Sequence, residues 1–494
     1  MSVKPEFETY DRTGVAARCK AQSVVECRLT GVGEIASVLA TRASVATESA
    51  SAGEGEAKYN GKLFLGVIYE DGEKNLCRME RGVEFSHRAE DERITPSCDI
   101  RTVLSVLSAS VRREGASLYV SCVVEAEITA CGGRTDTFLT GGDGLICRTE
   151  EQTFLKEAYC GGALELTDEF DCEPVGDILL HSEAVSVQRV SCEAGCVVVS
   201  GEATVNICAL RQDGAGNYER LLPFRAELPC DGASVGAECD AWVEIRSANV
   251  TLTADEEGGK SKISLTLSLS AQGTAYIRET RSVARDAFSP HNRIDLTVER
   301  QETEYRKDGI FFTERIGGIA SLSAPIDYSC ALQALVLQKA ECDCRADGAE
   351  LQGVASAVLL VAESDGTHRS VEVQLPFAIP LKTEVAGRKV ARAMVCGMSV
   401  RQKREGEAEV EATLKIAVDV YERAENEYIA AVREGEEIAE SDSAFGIFLP
   451  REGDSLWEIA KALKKPPEEV AADNPTLTFP VRRGERIIVY RQKE

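Results

Sequence analysis

Histidine, methionine and tryptophan are nearly missing from this chain: four, four and two among 494 residues. The four histidines, His87, His181, His291 and His368, stand singly. None has a second histidine at the short spacing that imidazole metal ligands show, so each is expected to be a lone surface residue. No H-E-x-x-H, nucleophile elbow or glycine-rich phosphate loop occurs. An enzyme is therefore not expected, and neither catalytic residues, a metal site nor a cofactor is assigned. No stretch reaches the ~18 consecutive apolar residues of a membrane helix. The opening, Met1-Ser-Val-Lys-Pro-Glu-Phe-Glu8, has no apolar h-region. The expectation is a protein without signal peptide or transmembrane segment, made and kept in the cytosol. Basic residues are also short: 56 Lys and Arg face 82 Asp and Glu, a net charge of −26. Such a surface repels nucleic acid and bare anionic lipid.

Cysteine is plentiful by contrast, with 18 residues and none beyond Cys396. Cys122 and Cys208 alternate with polar neighbours as small strand residues do, which predicts packed thiols rather than a disulfide framework in a reducing compartment. Cys192 with Cys196, and Cys342 with Cys344, are close pairs that lack second pairs at zinc spacing.

The length suggests about three or four domains, and an internal repeat locates them. Three segments run from a glycine through small and apolar residues to Asp-Gly: Gly61 to Asp71-Gly72, Gly201 to Asp213-Gly214, and Gly353 to Asp365-Gly366. Phe85, Pro223-Phe224 and Pro376-Phe377 follow. Asp-Gly between two strand-like runs signals a hairpin, because glycine supplies the positive φ of a tight turn. A strictly alternating strand comes later in each copy. It places Leu118, Val120, Cys122, Val124, Ala126 and Ile128 on one face in the first, Ile263, Leu265, Leu267 and Leu269 in the second, and Val410, Ala412, Leu414, Ile416, Val418 and Val420 in the third. Period two with one polar face predicts half-buried antiparallel strands.

The copies also open alike. Phe7 to Tyr10, Gln152 to Phe154 and Thr303 to Tyr305 precede Val32-Gly-Glu-Ile35, Val175-Gly-Asp-Ile178 and Ala324-Pro-Ile-Asp327 by about 20 residues. These marks place repeat 1 over 1–147, repeat 2 over 148–298 and repeat 3 over 299–432. An acidic run, 433–446, reads as a solvated linker. A small module over 447–492 follows. The expected fold is mainly β: three tandem, β-rich, sandwich-like repeat domains in a row, then an α+β module of order βααβ.

That module carries nine basic and eight acidic residues between Phe448 and Glu494, so the acidity lies upstream. Ser455-Leu-Trp-Glu458 is a capping box. Leu456, Ile459, Ala460 and Leu463 then fall on one helix face, where Trp457 is expected to serve as core. Pro467 with Glu468 and Glu469 opens a second helix, Asn474-Pro475 closes it, and Ile487 to Tyr490 forms a strand. Gly453-Asp454-Ser455-Leu456-Trp457, Ile459-Ala460, Asn474-Pro475 and Gly484 resemble the LysM family at its spacing, with Pro450 as a departure in the first strand. The resemblance implies a shallow groove for N-acetylglucosamine-containing glycan, such as peptidoglycan, or for a partner. Gly453, Asp454, Ser455 and Leu456 would line one side, and Asn474, Pro475, Leu477 and Thr478 the other.

The repeated glycine, strand, Asp-Gly and Pro-Phe cadence resembles the SPOCS domain of spore-coat proteins in Firmicutes. SPOCS units followed by LysM form the layout of SipL-like spore-coat morphogenetic proteins. That resemblance implies a scaffold of the mother-cell cytoplasm that gathers at the forespore surface and ends in the spore coat. Its LysM region would engage the SpoIVA-like basement ATPase, and the chain would recruit other coat proteins. Two alternatives stand beside it: a LysM-anchored, peptidoglycan-binding envelope protein, and an accessory cell-wall hydrolase.

Overall fold

The computed structural model describes residues 2–30, 34–212, 214–254, 259–321, 326–336, 341–342, 349–363, 366–381, 387–404, 406–439 and 445–490. The protein is mainly β and antiparallel. Its first six strands are β1 (Lys4–Thr30), β2 (Ile35–Ala52), β3 (Glu56–Asp71), β4 (Leu76–Glu90), β5 (Asp99–Glu114) and β6 (Ser117–Asp143). They form two three-stranded sheets, of order β1-β6-β5 and β2-β3-β4. The next six are β7 (Ile146–Cys172), β8 (Val175–Glu193), β9 (Cys196–Arg211), β10 (Gly214–Pro229), β11 (Cys239–Ala254) and β12 (Ser261–Phe288). Their sheets repeat the same orders, β11-β12-β7 and β10-β9-β8.

The third set is β13 (Asn292–Ser321), β14 (Ile326–Val336), β15 (Glu341–Cys342), β16 (Ala349–Glu363), β17 (His368–Leu381), β18 (Arg388–Arg404) and β19 (Glu407–Glu437). Here the sheets are β13-β19-β18-β15 and β14-β16-β17, so the short β15 is an addition at one edge. Strand breaks fall at 144–145 and 289–291, beside the boundaries expected near 147 and 298. Both of those boundaries lie inside strands, β7 and β13.

The alternating residues drive the two sheets of each set together. All sixteen named above are buried, on β6, β12 and β19. Those of β6 share a core with Leu63, Leu65 and Val67 of β3, and those of β12 with Val199, Val205 and Ile207 of β9. Leu359 and Leu375 meet Val410 in the third set. At about 25 cal/mol per Å² of apolar area removed from water, these layers are the main stabilising term.

The Asp-Gly segments lie at the expected hairpins. Asp71 closes the first by accepting from the backbone amides of Glu73 and Asn75, each at 2.8 Å. Gly214 (φ +122) and Gly366 (φ +79) take the turn positions of the other two. Asp213 and Asp365 themselves lie outside the described residues, as do the opening marks at Val32-Gly33 and Ala324-Pro325 and, among the cysteines, Cys344.

The repeats were expected in a row, but they converge. Ile68, Cys208 and Leu360, each seven residues after the repeat's glycine, share one buried cluster with Leu39 and Leu180. The long antiparallel pairs β1/β6, β7/β12 and β13/β19 meet in a second cluster of Tyr10, Phe138, Phe154, Val283 and Tyr428. There Phe138 stacks on Phe154 at 5.4 Å and takes Tyr428 edge-on at 5.8 Å. Phe138, Val283 and Tyr428 are spaced 145 residues apart, so equivalent positions of the three copies meet.

Polar groups lock the same seams. Arg42 and His181 both bond the buried Glu183, and His368 bonds Glu70 at 2.8 Å. Neither histidine is the lone surface residue the sequence suggests, because each is paired where two copies meet.

The acidic run expected as a linker is shorter than 433–446. Residues 433–437 continue β19, paired with Asn292 to Asp295 of β13. Asn292 donates to Glu434, which also accepts from the Val3 amide at 3.2 Å. These bonds give the acids partners that the sequence does not advertise. Residues 440–444 lie outside the description. The C-terminal module then has the expected order: β20 (Phe445–Phe448), α1 (Leu456–Leu463), α2 (Pro467–Asp473) and β21 (Ile487–Tyr490). β20 ends before Pro450, as a residue without an amide donor requires. Among the described residues no helix is long and apolar enough to cross a membrane.

Candidate functional site

The residues proposed from sequence to line a groove lie in the loop before α1, at the start of α1 and in the segment after α2. Gly453 turns the loop at φ +93, a conformation open to glycine. Its amide donates to Val481 O at 2.9 Å, and Val481 N returns a bond to Asp454 O at 3.0 Å. Ser455 caps α1: its Oγ accepts from Glu458 N at 3.3 Å, while Glu458 Oε2 accepts from Ser455 N at 2.7 Å. The capping box read from the sequence is thus complete, a contribution of about 1 kcal/mol. The Asp454 carboxylate accepts from Arg451 N at 2.7 Å and braces the same turn.

After α2, Asn474 is buried and fully engaged. Its Nδ2 donates to Val470 O at 2.9 Å and Ile488 O at 2.8 Å, and its Oδ1 accepts from Ile488 N at 2.7 Å. It clamps α2 to β21 and has little left to offer a ligand. Leu456 and Leu477 pack against the module core of Ile459, Ala460, Val470, Val481, Ile487 and Val489. Gly453, Pro475 and Thr478 are exposed. Gly453, Asp454 and Ser455 thus lie in the loop before α1, Leu456 opens α1, and Asn474, Pro475, Leu477 and Thr478 follow α2, with the side chains of Asp454, Ser455 and Asn474 engaged within the module.

Trp457, expected as core, has a second role. Its ring meets Phe288 of β12 edge-on at 5.3 Å, and its Nε1 donates to Asp286 Oδ2 at 2.8 Å. Lys461, one turn on, donates to both oxygens of Asp286 at 2.7 and 2.9 Å. Burial alone would push the Asp286 carboxyl up. Lys461 and the Trp457 bond outweigh that and hold it below the usual carboxylate range. Phe288 joins the module's own core cluster, with Ile146 packed beside it. The face of α1 that carries Trp457 and Lys461 thus bolts the module to the repeats. Sequence reasoning missed Asp286 and Phe288, because nothing local to them signals a partner 171 residues away.

The outer face of β20 and β21 is different. Phe445, Ile447, Leu449, Ile488 and Tyr490 are exposed large apolar residues. Phe445 lies opposite Tyr490 with ring centroids 5.8 Å apart, and Ile447 lies opposite Ile488. Isolated exposed apolar residues are ordinary, but a contiguous set marks an interaction surface.

No disulfide joins the described cysteines, and Cys122, Cys160, Cys192 and Cys239 are among the buried ones. Cys192 and Cys239 lie in one buried cluster of the second set of strands. Among the described residues no three His, Cys, Asp or Glu side chains gather as a metal site would require. No protein-family model, no curated protein and no solved structure matches the chain.

Proposed function

We propose that this chain is a non-enzymatic scaffold for spore-coat assembly, of the SipL-like kind, built from three SPOCS-like β repeats and a LysM module. In this reading it is made in the mother-cell cytoplasm, gathers at the forespore surface and remains in the coat. The module docks on a SpoIVA-like basement ATPase, and the repeats recruit other coat proteins. The observation that carries the reading is the recurrence of one strand order three times, followed by a βααβ module whose glycine turn and capping box match the LysM pattern. Weak contacts on one tethered chain gain avidity, which suits a scaffold of repeated units.

Docking on protein is favoured over glycan by two features of the module. Asp454, Ser455 and Asn474 already spend polar groups on their own loops. The outer face of β20–β21 offers a contiguous apolar patch of the kind that marks protein interfaces. The experiment is twofold. A fluorescently tagged copy is followed through a sporulation time course, and the full chain is tested for capture by the purified basement ATPase and by purified peptidoglycan. A ring around the forespore and capture by the ATPase support the proposal. Signal in the walls of growing cells, with retention on peptidoglycan alone, replaces it with the wall-anchored reading. Clearing of murein in a zymogram would mark a hydrolase.

A further inference from the structure

A cavity of about 540 Å³ lies in the seam between the first two β repeats. The first repeat lines it from β2, β3, β4 and β5, and the second from β8 and β11. Phe64, Leu104, Leu180 and Ile245 give it apolar walls. Its polar groups are mostly matched. Arg42 and His181 bond Glu183, Arg81 donates to Arg28 O at 2.7 Å, and Glu80 is exposed to solvent.

Glu244 is the exception. Both of its carboxylate oxygens are buried and neither has a hydrogen-bond partner. The cation paired with it, Arg246, stands 4.0 Å away on the same strand, beyond hydrogen-bond reach. Arg246 is the extra residue of a β-bulge in β11, where Ile245 pairs with Leu269 but Ser247 pairs with Ser268. Bulges re-aim side chains and recur beside binding sites. Arg246 spends its Nη2 on Ser270 Oγ at 3.2 Å and leaves Nη1 without a partner. Two unmatched acceptors against one unmatched donor leave the carboxylate short of hydrogen-bond donors. Leaving a carboxylate so is costly, and such costs persist where a ligand repays them.

We propose that this seam cavity binds a protonated amine on an apolar stem, with Glu244 as its counter-ion and the Phe64, Leu104, Leu180 and Ile245 wall around the stem. The amine can come from a lysine side chain of a partner polypeptide or from a free polyamine, and the chain's net charge of −26 concentrates either one. Burial pushes the Glu244 carboxyl up to about 7, with Arg246 only partly opposing. Seating an ammonium beside it therefore expels a proton near neutrality. Affinity should rise about tenfold between pH 6 and pH 8. The other charged groups facing the cavity are Arg42 from β2, Glu80 and Arg81 from β4, and His181 and Glu183 from β8. Because these groups face the same cavity, the Glu244→Gln variant isolates the contribution of Glu244.

The test is calorimetric titration of the full chain with two probes, spermidine and N-acetyl-leucyl-lysine amide. At least one should bind at 1:1 with a Kd below about 1 mM at pH 8. Glu244→Gln, which keeps the shape of the side chain, should weaken binding tenfold or more and flatten its pH dependence. Ala248→Leu, which narrows the cavity without touching its charge, should also weaken binding, and thermal melts of both variants check that the fold is intact. Binding of the peptide alone assigns the amine to a partner's lysine, and binding of spermidine alone assigns it to a free polyamine. The proposal is overturned if neither probe binds the unaltered chain, or if Glu244→Gln binds as tightly with the same pH profile.

Discussion

Gly201 and Phe224 face each other across β9 and β10, and a Cβ on the glycine would stand 2.8 Å from the ring's Cζ. The relationship recurs in the other copies. Gly61 faces Phe85, and Gly353 faces Phe377, with the corresponding distances 2.6 and 2.5 Å. Each ring lies over bare backbone that only a glycine leaves open, and it covers a strand position that would otherwise pack nothing. The loosest marks of the repeat in the sequence, a glycine and a phenylalanine more than twenty residues apart, are one contact in space.

That contact predicts different outcomes for chemically identical substitutions. At Gly61 a new methyl meets only side-chain ends, Phe85 Cζ and Leu104 Cδ1 at 2.7 Å. At Gly201 it would also lie 2.0 Å from the backbone oxygen of Ser186. Gly61→Ala should cost about 1–3 kcal/mol by overpacking, and Phe85→Leu added to it should recover part of the loss. Gly201→Ala should cost more, and Phe224→Leu should not rescue it, because the backbone clash remains. Calorimetric melts of the four variants check this. Equal rescue at both sites would show that the Ser186 strand gives way.

Asp286 holds the C-terminal module through Trp457 and Lys461. Asp286→Ala should undock the module without unfolding it. Hydrogen bonds to a charged group are worth roughly 1.5–3 kcal/mol each, so the loss should be complete enough to see. In a Trp242→Phe background, Trp457 emission should shift to the red. The folded carboxyl titrates below its ordinary value, so docking is present above that value and is lost as pH falls through the lower, folded one. The same red shift should therefore follow acidification of the unaltered chain below about pH 4, and it should be missing from the pH titration of Asp286→Ala.

The β class, the hairpins and the buried faces of β6, β12 and β19 were legible because alternation and Asp-Gly turns are local signals. So was the order of the C-terminal module, down to the Ser455 and Glu458 cap. The convergence of the repeats was not legible. Phe138, Val283 and Tyr428 share a spacing but not a residue type, and nothing along the chain says that an aromatic ring at one copy stacks against the next. The pairing of His181 with Glu183 and of His368 with Glu70 was hidden for the same reason. Of the groove, the loops were legible, whereas the way Asn474 spends all of its amide on the backbone of Val470 and Ile488 needed three dimensions.

Asn474 and Thr478 make a paired test within that groove. Asn474→Ala removes three hydrogen bonds and leaves the Ile488 amide and two carbonyls without them. At about 1–3 kcal/mol for each buried group left unsatisfied, a module this small should unfold. Hydrogen exchange should then become fast throughout α2 and β21 while the β repeats stay protected. Thr478→Ala should leave exchange unchanged, since Thr478 is exposed. If Thr478→Ala weakens capture by the basement ATPase or by peptidoglycan, the groove itself is in contact with that partner. If both variants keep the module folded, Asn474 is not the clamp its bonds describe.

Glu244 makes a prediction about stability that is separate from ligand binding. In the folded chain its carboxyl holds a proton up to about 7, whereas an unfolded glutamate releases it near 4.3. Between those values the folded state binds more protons than the unfolded one, so stability from this group falls as pH rises through the window. Glu244→Gln removes the buried charge and keeps the side chain's shape. It should leave stability nearly unchanged at pH 4 and raise it at pH 8, by on the order of 3 kcal/mol. Chemical unfolding of both forms across this range, without amines in the buffer, measures the difference directly. A gain that grows from pH 4 to pH 8 would show that the unaltered chain gives up stability to hold a carboxylate without hydrogen-bond donors in the seam. A difference that does not change with pH would mean that the carboxylate finds a partner there, and Glu244 would lose its standing as an unmatched charge.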